Sequence, residues 1–187
     1  MDAFNFAFSL FAIILGLSLA KVLEGFARAL KRRRVVHLGW LTPLLAIFIF
    51  FDITSLWIYA WGIREKIAVN WATMFGALVV ALVYYLAAGL VFPREIKEWP
   101  NLNEHYRRNK CFIAGGILLA NVLITTVTTL IHPPVLDFSF WFGVLTYWPM
   151  LAILPFSKSD KLDVALLAIM IAGYLANVVL PTSWILR

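Results

Sequence analysis

Residues 40–61 read WLTPLLAIFIFFDITSLWIYAW and contain one charged residue, Asp52. At about 1.5 Å per residue, a helix of this length crosses the roughly 30 Å hydrocarbon core of a bilayer. A spanning helix needs about 20 predominantly apolar residues, and this stretch meets that requirement. We therefore predict a transmembrane helix that holds a carboxyl group inside the membrane.

Five further stretches have similar length and apolar character. The fifth stretch in chain order is the weakest, because it is short and contains Pro149 and Pro155; a re-entrant or kinked element is the alternative there. The sequence thus predicts one domain, 1–187, an all-α bundle of about six transmembrane helices. Their predicted ranges are 4–23, 40–61, 71–92, 111–131, 138–156 and 162–186.

Composition supports a membrane protein and disfavours other classes. Of 187 residues, 63% are hydrophobic and 14% are charged, whereas soluble domains carry about 25% charged residues. The net charge of +6 comes from short clusters between apolar runs, so we expect no nucleic-acid partner. The single Cys111 rules out a disulfide framework. We find no catalytic or metal-binding motif, so we expect no cofactor or metal, and an enzyme is the least favoured class.

The positions of Lys and Arg predict the orientation. Twelve of the 16 lie in the first, third and fifth predicted loops, and three lie on the alternate side. Positive residues favour the cytoplasm, so both termini should be non-cytoplasmic. The long loop 93–110 should lie along the cytoplasmic surface of the membrane. The basic run Lys31, Arg32, Arg33 and Arg34 is a topology signal that should also bind anionic lipid headgroups.

Asp52 is the leading candidate for a functional group. It lies about 18 Å from the cytoplasmic end of its helix, too deep for its short side chain to reach water. Ser55 and Tyr59 follow on the same helix face. We expect them to join polar groups of the fourth and sixth helices at a similar depth, in a cluster that a cavity from the outer side would reach. Those groups are Asn121, Thr125, Thr128, Tyr174 and Asn177, with His132 beyond them.

This cluster has two interpretations. Ser, Thr, Asn and Asp side chains in membrane helices often serve only as structural contacts between helices. A buried ionisable residue, however, frequently marks the path of an ion, a proton or a solute. We therefore predict a small transporter or channel with its site at Asp52. The alternative is a non-enzymatic accessory or sensor subunit that binds protein partners and anionic lipid.

A second charged group lies near the cytoplasmic end of the first helix. Lys21, Glu24 and Arg28 are spaced to meet on one helix face. An interfacial charge network is the simpler interpretation, and an inner gate approached by Tyr84 and Tyr85 is the functional one.

Small residues recur at helical spacing in three of the predicted helices. Such stripes let helices approach closely in lipid, and we favour packing within the chain over a homo-oligomer interface. The stripes are Ala12, Gly16 and Ala20; Gly116 and Ala120; and Ala168, Ala172 and Ala176.

The opening MDAFNFAFSLFAIILGLSLAKVLEGFARALKRRR, together with GWLTPLLA and YYLAAGLVFP with the following EWP, resembles small polytopic inner-membrane proteins of bacteria that carry no assigned function. The resemblance covers about the first two thirds of the chain. It implies a bacterial cytoplasmic membrane and supplies no catalytic residues.

Overall fold

The computed structural model describes the backbone of residues 3–131 and 138–179. Within these ranges it contains six α-helices and two short 3-10 helices, so the predicted all-α bundle is confirmed. The helices α1 to α4 are each long and apolar enough to cross a membrane, and α5 belongs to a shorter apolar segment. The α-helices are α1 Ala3–Arg32, α2 Leu41–Gly62, α3 Trp71–Val91, α4 Leu102–Ile131, α5 Phe138–Ile153 and α6 Asp160–Val179; the 3-10 helices are Ile96–Glu98 and Leu154–Phe156.

Helix α2 forms the centre of the bundle. It contacts α1, α3, α4 and α6, which agrees with a sequence that is apolar around its whole circumference. Phe48 and Ile49 are fully buried, and Asp52 is 3% exposed. The predicted transmembrane helix that contains the carboxyl group is therefore the helix with neighbours on most of its sides.

Helix α1 packs on α2 and α3 through residues spaced alternately by four and three. The seam consists of Phe11, Leu15, Ser18, Val22, Gly25 and Ala29, all buried. At Gly25 a Cβ atom would lie 2.5 Å from Cδ2 and 2.7 Å from Cβ of Phe92, which follows α3. The missing side chain thus permits the close approach of α1 to the end of α3.

Two predicted helices are longer than expected. Helix α1 continues from residue 23 to Arg32, because an ion pair between Glu24 and Arg28 supports the extra turns and no proline interrupts them. Helix α4 begins at Leu102 rather than at residue 111. The predicted loop 93–110 is therefore helical over its second half, where some polar residues, such as Arg108, are exposed and others, such as His105 and Lys110, are buried.

The ends of α3 have clear local causes. Asn70 accepts a hydrogen bond from the Thr73 N–H, and the Thr73 hydroxyl accepts one from the Asn70 N–H, which forms a capping box. Phe92 is extended, as the residue before a proline prefers to be, and Pro93 ends the helix.

The connections from α1 to α2 and from α3 to α4 meet at one end of the bundle. The His37 N–H donates to the Pro100 carbonyl at 3.1 Å, and the Leu102 N–H donates to the His37 carbonyl at 3.0 Å. Gly39 has a φ of 62°, and a Cβ there would collide with the Asn103 side chain. We call this end, which carries residues 28–39, 93–110 and 157–161, the basic end.

Candidate functional site

Asp52 lies at the centre of the bundle and accepts hydrogen bonds from three tyrosines. Its Oδ1 accepts from the hydroxyls of Tyr147 at 2.5 Å and Tyr174 at 2.7 Å. Its Oδ2 accepts from the hydroxyl of Tyr84 at 2.6 Å. The three donors come from three helices, α5, α6 and α3, so one carboxyl group on α2 links four helices.

Asn121 extends this cluster to α4. Its Nδ2 donates to the Tyr84 hydroxyl oxygen at 3.0 Å and to the Ile117 carbonyl at 3.0 Å. A tyrosine hydroxyl can accept a hydrogen bond while it donates one, so Asn121 orients the Tyr84 proton toward Asp52. Five helices thus contribute to what we call the Asp52 cluster: Asp52, Tyr84, Asn121, Tyr147 and Tyr174.

Aromatic rings surround the cluster. Phe48 packs against Tyr147 and Tyr174, with ring centroids 6.3 Å apart in both cases. Phe51 stacks on Tyr174 at 6.0 Å with an interplanar angle of 11°. These rings exclude water, which strengthens the hydrogen bonds to the carboxyl group and makes an unpaired charge there costly.

The hydrogen bonds suit an ionised carboxylate, which only accepts. A protonated carboxyl group must donate one hydrogen bond, so one tyrosine would have to turn and accept or lose its partner. The ion pairs among the described residues do not include Asp52. Gain or loss of a proton by Asp52 is therefore coupled to the contacts that hold α3, α5 and α6 against α2.

The other predicted members of the site are placed differently. The Tyr59 hydroxyl donates to Oγ1 of Thr128 at 2.8 Å, a separate contact between α2 and α4. Ser55 and Thr125 are half-buried, and among the described side chains neither hydroxyl is bonded to Asp52. Ser55 was predicted to share a helix face with Asp52, but it lies beside the cluster and is not a member of it. The side chain of Asn177 and the whole of His132 lie outside the described residues.

The tyrosines of the cluster were incompletely predicted. Tyr147 was missed, because a tyrosine in an apolar helix is hard to distinguish from a packing residue. Tyr84 was expected near Lys21, and this was wrong: Tyr84 points to Asp52, and the Lys21 Nζ lies 3.8 Å from the ring centroid of Tyr85 instead. The signal that could have found Tyr84 is its depth: it lies about 10 Å along α3 from the basic end, and a tyrosine side chain there is long enough to reach Asp52.

The group at the end of α1 is partly as expected. Glu24 and Arg28 form an ion pair at 2.5 Å, while Lys21 interacts with Tyr85, and the described residues show no ion pair between Lys21 and Glu24. Lys31 and Arg32 line a cavity at the basic end. Arg33 and Arg34 are exposed and line neither of the two cavities found there.

A second buried carboxyl group was not predicted. The Lys110 Nζ lies 2.6 Å from Oδ2 of Asp163, and their side chains are 8% and 1% exposed. The same ammonium group donates to the Ser157 carbonyl at 2.6 Å. Nearby, Arg107 forms a two-pronged ion pair with Asp160, so two ion pairs join α4 to α6 at the basic end. Lys110 was interpreted only as a topology signal, so its ion pair with Asp163 was not predicted.

The small-residue stripes divide into two kinds. Gly116 faces Val83, because a Cβ atom at Gly116 would lie 3.5 Å from Cγ1 of Val83. Ala120 is fully buried. The α4 stripe therefore packs within the chain. In α1, Ala12 is half-buried while Gly16 and Ala20 are exposed, and in α6 all three members, Ala168, Ala172 and Ala176, are exposed. For these two helices the favoured packing within the chain was wrong, because their buried seams lie on other faces.

Comparison of the chain with models of protein families, with curated proteins and with solved structures gives no match. Over the described residues, no three His, Cys, Asp or Glu side chains gather as metal ligands would.

Proposed function

We propose that the chain is a six-span protein of a bacterial cytoplasmic membrane, with both termini on the non-cytoplasmic side. The apolar character of α1 to α4 supports membrane insertion. The gathering of the basic connections at one end supports a cytoplasmic position for that end, since positive residues favour the cytoplasm.

We propose further that the protein transports a proton, another ion or a small solute through the Asp52 cluster. The observation that carries this proposal is the set of three tyrosine hydroxyls, from three helices, on one buried carboxyl group. An arriving proton or cation competes for the same oxygen atoms and so changes the contacts between α2 and its neighbours. Coupling of that kind lets occupancy of a site change the packing of a bundle.

The enclosure of Asp52 fits an occluded state in this proposal. At 3% exposure the carboxyl group is shielded from both faces of the bundle. Exchange with either side then requires that one of α3, α5 or α6 moves away. Helix α6 is the candidate for this movement because it packs chiefly on α2 and α5, while its two ion pairs to α4 lie at the basic end, where they would serve as the pivot.

Flux through reconstituted protein tests the proposal. Purified protein in proteoliposomes would be assayed for flux of protons, monovalent cations and small solutes, with Asp52→Asn as the variant. Asp160→Asn is the matched control, since it removes an exposed carboxylate from the basic end. We expect Asp52→Asn to abolish flux while Asp160→Asn retains it. Equal flux through a folded Asp52→Asn protein would reject the site.

A second candidate is an accessory or sensor subunit. It is favoured by the complete pairing of both Asp52 oxygens and by the exposed small residues on α1 and α6. A second copy of the chain or another membrane protein would then cover these faces. The discriminating experiment is cysteine cross-linking in native membranes at Ala20 and Ala172. Specific products together with no flux would favour this candidate over transport.

A further inference from the structure

Two neighbouring cavities open at the basic end, between the end of α1 and the segment that follows α3. Each has a volume of about 270 Å³, and they share Arg28 and Arg94. The first, which we call the headgroup cavity, is lined by five basic side chains and one carboxylate, Glu95. The basic side chains are Arg28, Lys31, Arg32, Arg94 and Lys97.

The charges around the headgroup cavity are largely unneutralised. Arg28 uses one terminal nitrogen for Glu24, and its buried Nε has no hydrogen-bond partner among the described residues. Arg94 and Lys97 are exposed, and neither belongs to an ion pair among the described residues. A concave surface lined by free guanidinium and ammonium groups attracts an anion, and guanidinium groups bind phosphate with two parallel hydrogen bonds.

The second cavity has a different lining, and we call it the groove. Besides Lys21, Glu24 and the two shared arginines, it is lined by Ala88, Gly89 and Phe92 at the end of α3. Gly89 is exposed, and a Cβ built there would meet the Lys21 side chain at 3.5 Å, an ordinary contact. The groove therefore continues from the basic cavity along an apolar wall between α1 and α3.

We propose that these two cavities bind one anionic phospholipid from the leaflet at the basic end. The phosphate lies in the headgroup cavity against Arg28, Arg94 and Lys97. The glycerol and the first part of an acyl chain lie in the groove against Gly89 and Phe92. A phospholipid fits better than a soluble phosphate because the basic and apolar linings are continuous. The site shares Lys31 and Arg32 with the basic run expected to bind lipid, but Arg33 and Arg34 line neither cavity.

Lipid retention tests the proposal independently of transport. The full chain would be purified in detergent, supplied with phosphatidylglycerol or phosphatidylcholine, and examined by native mass spectrometry for bound lipid. The variant is Arg94→Gln/Lys97→Gln, and the matched control is Arg33→Gln/Arg34→Gln; all four residues are exposed and each variant removes two charges. We expect retention of phosphatidylglycerol to fall by about tenfold or more in the first variant and by less than about twofold in the control.

A third variant, Gly89→Leu, separates a lipid from a free anion. It fills the groove at the side of Lys21 and leaves the basic side chains of the headgroup cavity in place, so it should weaken phosphatidylglycerol binding and leave the thermal shift produced by inorganic phosphate unchanged. Equal losses in both double variants would show general attraction to basic residues and overturn the proposal. Full displacement of the lipid by millimolar phosphate, with no effect of Gly89→Leu, would also overturn it.

Discussion

The Tyr147 hydroxyl of α5 donates to Oδ1 of Asp52 in α2 across 95 residues of sequence, at 2.5 Å. With Tyr84 and Tyr174 it completes a shell of donors that a carboxylate in an apolar interior requires. The contact fixes α5, a helix of 16 residues that contains Pro149, against the centre of the bundle. Stability and the proposed function therefore depend on the same hydroxyl groups.

Removal of the Tyr147 hydroxyl should destabilise the bundle. In Tyr147→Phe the carboxyl group of Asp52 loses one of its donors, and we expect a loss of about 1–3 kcal/mol in the free energy of unfolding, as for hydrogen bonds to charged or buried groups. Denaturant unfolding in a fixed detergent or lipid mixture would measure it. Tyr85→Phe is the control, because its ring contacts Lys21; we expect a change within about 0.5 kcal/mol. Equal effects of the two substitutions would contradict the assigned contact.

The buried ion pair between Lys110 and Asp163 should tolerate double replacement better than single replacement. Lys110→Met leaves an unpaired buried carboxylate and should cost roughly 3–5 kcal/mol. Lys110→Met/Asp163→Leu removes both charges, so the double variant should be clearly more stable than the single one. A double-mutant cycle of unfolding free energies measures the coupling. Additive effects would show that the two groups do not interact.

The exposed ion pair between Arg107 and Asp160 should contribute little by comparison. Their side chains are 53% and 38% exposed, and exposed pairs contribute about 0–1 kcal/mol. Asp160→Asn should therefore change stability by less than about 1 kcal/mol. A larger loss would indicate a further role for Asp160 at the start of α6.

Asp160 should titrate at a lower pH than a free aspartate. The hydrogen bonds from the Arg107 guanidinium hold the pKa of this carboxyl group below its usual value of 3.8. Since the folded-state pKa is depressed, the contribution of this pair to stability is present above pH 3.8 and is lost as the pH falls through the folded-state pKa. Carbon-13 NMR of labelled Asp160 would follow the titration. Arg107→Gln should return the pKa toward 3.8, and an unchanged value would exclude Arg107 as the cause.

Two glycines of α1 should respond in opposite ways to alanine. Gly25→Ala places a methyl group against Phe92 and should cost roughly 1–3 kcal/mol, because the contact leaves no space. Gly16→Ala meets no atom within 4 Å and should leave stability unchanged or raise it by up to about 1 kcal/mol. Thermal unfolding of the two variants compares them directly. A neutral Gly25→Ala would mean that α1 and Phe92 are farther apart than described.

The fold followed from the sequence where local chemistry decides it. Apolar length gives α2 and α3, and Pro93 gives the end of α3. The start of α4 was placed nine residues late, at 111 instead of Leu102, because polar residues such as Arg107 and Lys110 resemble a loop when their partners in α6 are unknown. Hydropathy shows which residues prefer lipid, but it does not distinguish a surface loop from a helix whose charges are paired.

The sequence predicted the depth of the candidate site in the bundle better than it predicted which residues form the site. Asp52 stood out because a carboxyl group inside an apolar run requires partners, and Asn121 was placed at a similar depth. Tyr84 and Tyr147 were assigned wrongly or missed, since the direction of a side chain around its helix axis depends on how the helices pack. Adjacent positions show this: Tyr84 points to Asp52, whereas Tyr85 lies under Lys21.

The order of synthesis has a consequence for the donors of Asp52, which lie 32, 95 and 122 residues farther along the chain. Tyr147 and Tyr174 are made long after α2 has left the ribosome, so the newly made helix lacks two of the three donors to its acidic group. A chain truncated after α4 would supply only the first of the three hydroxyls. Such fragments should be substrates for membrane quality-control proteases, because the carboxyl group of α2 lacks the donors that α5 and α6 supply.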